Sequence, residues 1–445
     1  MAPFPMLALF YSRAGDSRLA EFEAVASRFG GSGADFGWDR RVLATNGGDL
    51  GPRVVQWLSP FLRQDEAWLA DAAAQAVGCR GVFEVWGQGD TLEACAASAA
   101  AVPASHIQGR IHGSWRLESA VLGSRRSQHP SSLRRRMDAF GTVLDALEDR
   151  LVDLKDPQCR LWLVEDRQSL KDAGPFPEPP PRYLLLFQLP SDVPAIQVRM
   201  AQLDTRKRAF LSTSTLPADR ALLLCNLALA RAWSPEPTVL DPFCGSGGIL
   251  LAAAALGART VGSDLDWRMV SDNPWPTRIP PSPGRPGRGT ERVRMRDNFV
   301  EAELPEPRAL LTLDVGADEA ASTLLLANGG RLYDALVCDP PYGRREFQGG
   351  EERWAGELSF RVDAVALGSA LRTLFLLARQ TLKPSGSLVF LTPVRSPNDG
   401  SKPSLEELRA MLTLEGASQN LSLRHLSVEP IHRGLHRAVV VMDRC

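Results

Sequence analysis

The 445-residue chain lacks several features that would narrow its role at once. It has no imbalance of charge. Its 51 Lys and Arg face 52 Asp and Glu, so no overall field points to a nucleic-acid partner and any such contact must come from local patches. It has no paired cysteines. The seven, at positions 79, 95, 159, 225, 244, 338 and 445, are odd in number and irregularly spaced, without a C-x-x-C. That argues against both a disulfide framework and a zinc knuckle. Reduced, buried thiols in a cytoplasmic protein are the expectation, with no metal site. No apolar run approaches the roughly 20 residues needed to span a bilayer. The apolar N-terminus lacks a basic flank and reads as a first strand rather than a signal peptide.

What is present divides the chain. Five prolines between Lys171 and Arg182 forbid helix and favour an extended linker, which puts the main boundary there. Upstream, residues 1–170 mix short strands (Met6–Tyr11, Gly81–Trp86, Gly113–Trp115, Arg160–Val164) with helices at Arg18–Phe29 and after Asp90. This is an α+β module. Downstream, residues 183–445 alternate strands with helices, with strands ending at Asp241, Asp264, Asp314 and Asp339. Such β-α repetition predicts a doubly wound, mostly parallel α/β sheet whose ligands sit at the carboxyl ends of the strands. Two close terminal strands, Leu421–Pro430 and His436–Asp443, predict an antiparallel hairpin at the sheet edge. The stretch 268–290, rich in Pro, Gly, Arg and Ser, reads as an exposed loop.

Two turns carry the chemistry. The run Thr238-Val239-Leu240 opens into Asp241-Pro-Phe-Cys-Gly-Ser-Gly-Gly248, where Gly245 and Gly247 let backbone approach a ligand closely. A dinucleotide fingerprint would need a third glycine where Leu250 stands, which disfavours a dehydrogenase. A plain strand-to-helix turn is the bland alternative. The next strand ends at Asp264, about 20 residues on, where a carboxylate can take both ribose hydroxyls. Asp266 is the neighbouring candidate, or a helix cap. Asp314, closing the third strand, is placed to accept from an adenine amino group or to serve as a turn residue. Asp241 is expected near the ammonium of the methionine moiety of S-adenosylmethionine.

The second turn is Asp339-Pro340-Pro341-Tyr342, after the apolar run Tyr333–Cys338. An exocyclic amine on a purine is a poor nucleophile because its lone pair is delocalised into the ring. Two acceptors aimed at its N–H bonds, the Asp339 carboxylate and the Pro340 carbonyl, favour rehybridisation, and the paired prolines hold them ready. Tyr342 offers a face for the base to stack on. A base within a duplex cannot reach such a pocket, so flipping or unstacking is implied. The ordered pair of turns specifies methyl transfer to an exocyclic nitrogen. Adenine-N6 methylation of DNA or RNA obeys the same logic and stays open, as does, less favourably, a protein-glutamine methyltransferase or an RNA-binding scaffold with an inactive fold. Basic clusters at Arg125-Arg126, Arg134-Arg135-Arg136 and Arg206-Lys207-Arg208, with Arg285 to Arg296 after Asp264, suggest phosphate contacts.

These motifs resemble those of the tRNA (guanine-10-N2) methyltransferases of eukaryotes and archaea. The resemblance runs through Glu84-Val-Trp-Gly-Gln-Gly89, Asp153-Leu-Lys-Asp-Pro157, Leu161–Asp166, Arg206–Phe210, Ser212-Thr-Ser214, both turns and Asn298-Phe299. It implies a THUMP-type RNA-binding module ahead of a Rossmann-like methyltransferase domain, and N2-methylation of a tRNA guanosine with S-adenosylmethionine as donor. In eukaryotic members it also implies a small zinc-containing activator subunit. By position, Asp241, Gly245, Gly247, Asp264 and Asp314 would hold cofactor, with Thr213 and Ser214 flanking its methionine end. Asp339, Pro340, Pro341 and Tyr342 would hold the guanine. Cys244 and Ser246 stand where the family has Val and Thr, and Leu184–Met200 matches weakly.

Overall fold

The computed structural model describes residues 6–10, 17–29, 54–57, 66–122, 136–166, 182–212, 215–231, 234–273, 275–276, 292–341, 364–395, 405–432 and 435–445. The chain forms two compact units. One comprises Met1–Ala14 with Val25–Ala195, the other Gly15–Ala24 with Ile196–Cys445, so the division passes within the helix Ser17–Arg28.

The first unit is built on a six-stranded sheet. Its strands are β1 (Met6–Phe10), β2 (Val54–Trp57), β3 (Cys79–Gly89), β4 (Trp115–Leu122), β5 (Cys159–Asp166) and β6 (Tyr183–Gln188), in the order β2-β1-β3-β6-β5-β4. Alternate residues Leu7, Leu9, Phe83, Val85, Trp162, Val164, Leu184 and Leu186 form one core layer. This is the period-two signature of a strand. Leu161, Leu163, Leu185 and Phe187, on the opposite face, are buried as well. The Glu84–Gly89 motif has a structural basis here. The Glu84 carboxylate, buried, accepts from Trp86 Nε1 at 3.0 Å and lies 3.1 Å from His106 Nε2 and 3.3 Å from Arg110 Nε. A Cβ at Gly87 or Gly89 would strike the backbone of Cys95 at 2.7 or 2.6 Å, so both glycines admit the helix Leu92–Ala100 against the strand. In the Asp153–Pro157 motif the Asp153 carboxylate accepts from the amides of Lys155 and Asp156, which hold it below the usual carboxylate range.

One boundary differs from expectation. The stretch 183–195 belongs to the first unit, because β6 pairs antiparallel with both β3 and β5 and fills the middle of their sheet. A proline-rich sequence does not decide which sheet takes the next strand.

The second unit has a two-stranded ribbon, β9 (Trp275–Pro276) with β10 (Arg292–Val293), and a seven-stranded sheet. The sheet contains β7 (Thr238–Asp241), β8 (Arg259–Asp264), β11 (Ala309–Thr312), β12 (Tyr333–Cys338), β13 (Leu382–Arg395), β14 (Leu421–His432) and β15 (Leu435–Arg444). Its order is β11-β8-β7-β12-β13-β15-β14; neighbours among the first five are parallel, and β15 runs antiparallel to β13 and β14. The expected doubly wound sheet and antiparallel edge hairpin are therefore both present. Parallel strands covered on both faces read as unbroken apolar runs, and Ala335 to Cys338 are fully buried. Strand order reverses between β7 and β12, opening a crevice at their carboxyl ends. No helix among the described residues is long and apolar enough to cross a membrane. All seven cysteines are free; six are buried and Cys445 is exposed.

Asp334 fastens the opposite, amino-terminal end of the central strands. It accepts from the Thr238 amide at 2.8 Å, the Thr238 hydroxyl at 3.1 Å and Lys383 Nζ at 2.7 Å. Asp334→Ala strands the Thr238 amide and is expected to cost about 1–3 kcal/mol, read as a lowered urea midpoint. An unchanged midpoint would show that water replaces the carboxylate.

Candidate active site

The glycine turn after β7 is shaped mainly by backbone. The Gly247 amide donates to the Cys244 carbonyl at 2.8 Å, and the Cys244 amide to the Ser263 carbonyl on β8 at 2.9 Å. The Phe243 amide donates to Asp241 Oδ1 and the Gly245 amide to Asp264 Oδ2, at 3.1 and 2.8 Å. Gly245 and Gly247 adopt φ of 49° and 80°, the left-handed region that side chains avoid. They differ in surroundings. A Cβ on Gly247 would meet Met295 Sδ at 2.7 Å, whereas one on Gly245 would meet nothing within 4 Å. Packing therefore demands glycine at 247, and an open space faces 245.

Carboxylates converge on this turn from three strand ends. Asp241 is buried, and its pKa lies well above the ordinary value because of that burial. The Phe243 amide opposes the shift, and the charges of Asp264 and Asp339 add to it. Burial also raises Asp264, against hydrogen bonds from the Asp266 and Gly245 amides. The thiols of Cys244 and Cys338 are pushed up by burial and by the same carboxylates, which keeps them protonated and inert. Asp339 is half-buried at the end of β12, followed by buried Pro340 and half-buried Pro341. Asp314 is exposed two residues past β11, next to Leu313, whose amide donates to the Asp264 carbonyl at 3.0 Å. The predicted Asp241, Gly245, Gly247, Asp264, Asp314 and Asp339 thus share the carboxyl end of one sheet. Asp266 caps the short helix Trp267–Val270 through the Arg268 amide. Tyr342, Thr213 and Ser214 lie outside the described residues, as do Arg125, Arg126, Arg134 and Arg135.

Arg208 and Thr215 both lie beside the glycine turn. Arg206 is 82% exposed and forms a two-pronged pair with Asp204; Lys207 is exposed. Arg208 corrects the expectation of a basic surface cluster. Its side chain is buried, and its guanidinium donates twice to the Leu203 carbonyl at 3.1 and 2.9 Å. Burial draws its pKa down to about 10. A charge spent inside the fold is withdrawn from any phosphate surface. Asn298, given no role by sequence, is buried; its side-chain amide donates to the Phe210 carbonyl and accepts the Phe210 amide, both at 2.8 Å. It acts as a one-residue strand partner. Thr215 and Ser246 were likewise unmarked, and their hydroxyls lie 2.8 Å apart.

The donor set discriminates among ligands. Carboxylates around a glycine turn repel a pyrophosphate and suit a ligand carrying positive charge and hydroxyls. Each Asp264 oxygen takes one amide hydrogen, at 2.8 Å, and keeps capacity for a ribose hydroxyl. The residues present fit S-adenosylmethionine. The switch-point crevice, the glycine turn and the acid closing each neighbouring strand define an S-adenosylmethionine-dependent methyltransferase. A family model described as RMKL-like, methyltransferase domain, matches residues 206–273. Over most of its length the chain is similar to proteins named tRNA (guanine(10)-N(2))-methyltransferase. It is 23% identical to the Saccharomyces cerevisiae protein of that name, covering 87% of this chain and 84% of that one. It is 25% identical to human TRMT11, covering 73% and 68%. Among solved structures, TrmN from Thermus thermophilus aligns over 99% of this chain and 100% of its own, at 19% identity and a TM-score of 0.41.

Two predictions separate packing from ligand. Gly245→Ala should cost about 1–2 kcal/mol, the strain of a left-handed backbone alone. Gly247→Ala should cost about 1–3 kcal/mol more, because Met295 must move; equal urea midpoints would show that Met295 yields freely. For Asp241, a folded pKa above the unfolded value of 3.8 means that the native state binds the extra proton. Its contribution to stability is therefore lost as pH rises through the folded pKa. Asp241→Asn, which cannot ionise, should match the unaltered chain near pH 4. Its ligand-free melting temperature should move above that chain's as pH rises from about 4 through the folded pKa, and level off beyond it. A constant difference between the two melting curves across that range would contradict this.

Proposed function

We propose that this chain transfers a methyl group from S-adenosylmethionine to the N2 amine of a guanosine in tRNA, guanosine 10 in the numbering carried by its relatives' names. One observation carries the reading. Asp339 closes β12 beside β7, near enough to the glycine turn for its charge to raise the pKa of Asp241. The acid that would hold the amine and the turn that would hold the cofactor therefore open on the same crevice.

When bound, the cofactor supplies a methyl group made electrophilic by its sulfonium. The rest of the reading concerns the chain's own groups. Asp241 and Asp264 take the ammonium and the ribose hydroxyls, and Asp314 the adenine amine. The Asp339 carboxylate and the Pro340 carbonyl accept the two N–H bonds of the guanine amine, which draws its lone pair out of conjugation. Pro340 and Pro341 restrict the turn, so the acceptors need little reordering. Tyr342 provides the stacking face for a guanine taken out of its helix. The first unit is assigned the role of a THUMP-type module that captures the tRNA, with Arg125, Arg126, Arg134 and Arg135 as phosphate contacts, joined by Arg206 and Lys207 of the second unit. A small zinc-containing activator subunit belongs to the same proposal, and turnover measured with and without one tests it.

Asp339→Ala should lower methyl transfer to unmodified tRNA by about 100-fold or more, while calorimetry still detects S-adenosylmethionine binding. Nucleoside mass spectrometry should identify N2-methylguanosine in the product of the unaltered chain. N6-methyladenosine in its place, or turnover by the variant close to normal, would overturn the reading.

A further inference from the structure

We infer that Thr215 and Ser246 are positioning residues that fix the shape of the cofactor turn from outside it; the inference rests on the cofactor reading above. Ser246 sits between Gly245 and Gly247, at φ of 49° and 80°. The Gly245 and Gly247 amides hold the backbone on either side of Ser246, and the serine side chain adds a tie to another part of the chain. The Ser246 side chain is buried, and its hydroxyl lies 2.8 Å from Thr215 Oγ1.

Counting protons gives the direction of that bond. The Thr215 hydroxyl donates its single hydrogen to the Ser212 carbonyl at 2.8 Å and accepts the Ser212 amide at 3.1 Å. One acceptor position remains on Thr215, and the Ser246 hydroxyl at 2.8 Å takes it ahead of the Ser212 hydroxyl at 3.5 Å, so Ser246 is the donor. Thr215 then uses its whole hydrogen-bonding capacity on two tasks. It bonds to both the amide and the carbonyl of Ser212, and it ties Ser212 to the glycine loop.

The other end of the same segment is fastened too. Asn298 clamps the Phe210 backbone at 2.8 Å in both directions, and Met295, one turn earlier on its helix, packs where a Cβ on Gly247 would lie. Phe210 is thus secured by the helix Met295–Glu301, and Thr215 by the glycine loop.

Calorimetric titration of S-adenosylmethionine into the full chain and its variants tests this. Thr215→Val keeps the shape and removes both tasks; Ser246→Ala removes only the tie. Each should weaken binding about tenfold, the double variant should be no weaker than the worse single one, and Thr215→Ser should restore binding to within about twofold. Additive losses in the double variant, or normal affinity in Thr215→Val, would overturn the inference. A lowered melting temperature with unchanged affinity would also do so, by showing a role in folding only. If the unaltered chain itself fails to bind S-adenosylmethionine, it is the cofactor reading that falls, and this inference with it.

Discussion

The reversal of strand order between β7 and β12 is the constraint on which the rest of the second unit depends. From β7 the chain lays down β8 and β11 on one side; from β12 it lays down β13 and then the β14–β15 hairpin on the other. Two neighbouring parallel strands therefore send their following turns apart, and a crevice opens that no side chain had to create. Asp241 and Asp339 each stand at or just past the end of one of those strands. Their closeness follows from β-pairing one residue before Asp241 and three before Asp339, where Leu240 faces Leu336. The site inherits its precision from the most buried part of the sheet.

That arrangement has an energetic cost which function explains and folding does not. A buried carboxylate with two others nearby is unfavourable in a protein seeking only stability. The sheet tolerates it because its far end is well satisfied, where Asp334 receives two donors from Thr238 and one from Lys383. The same acid type behaves differently at the two ends. At one it is surrounded by donors, while at the other it is left among acids, for a cation to neutralise.

The parts legible in the sequence were those determined by neighbours along the chain. An apolar run ending in Asp, then glycines or prolines, locates a strand end and its turn, and Asp241, Asp264 and Asp339 were found that way. What was not legible depends on distant partners. The strand Tyr183–Gln188 is as apolar as any in the second unit, and only its pairing with β3 and β5 shows where it belongs. Arg208 sits in a basic triplet that reads as surface, yet Ala209 and Phe210 beside it are buried and draw it inward. Asn298 serves a backbone 88 positions away, and no local pattern announces an amide acting as a strand.

Six of the seven cysteines are enclosed, and the one that reaches solvent is the final residue. Cys445 follows β15, which runs antiparallel to β13, and its amide bonds to the Asn420 carbonyl at 2.9 Å, just ahead of β14. That places the thiol at the foot of the sheet, the end Asp334 fastens, away from the glycine turn. A maleimide dye offered to the native protein would therefore choose its own address. It would report on the fold from the end of the sheet opposite the glycine turn, with no engineered handle required.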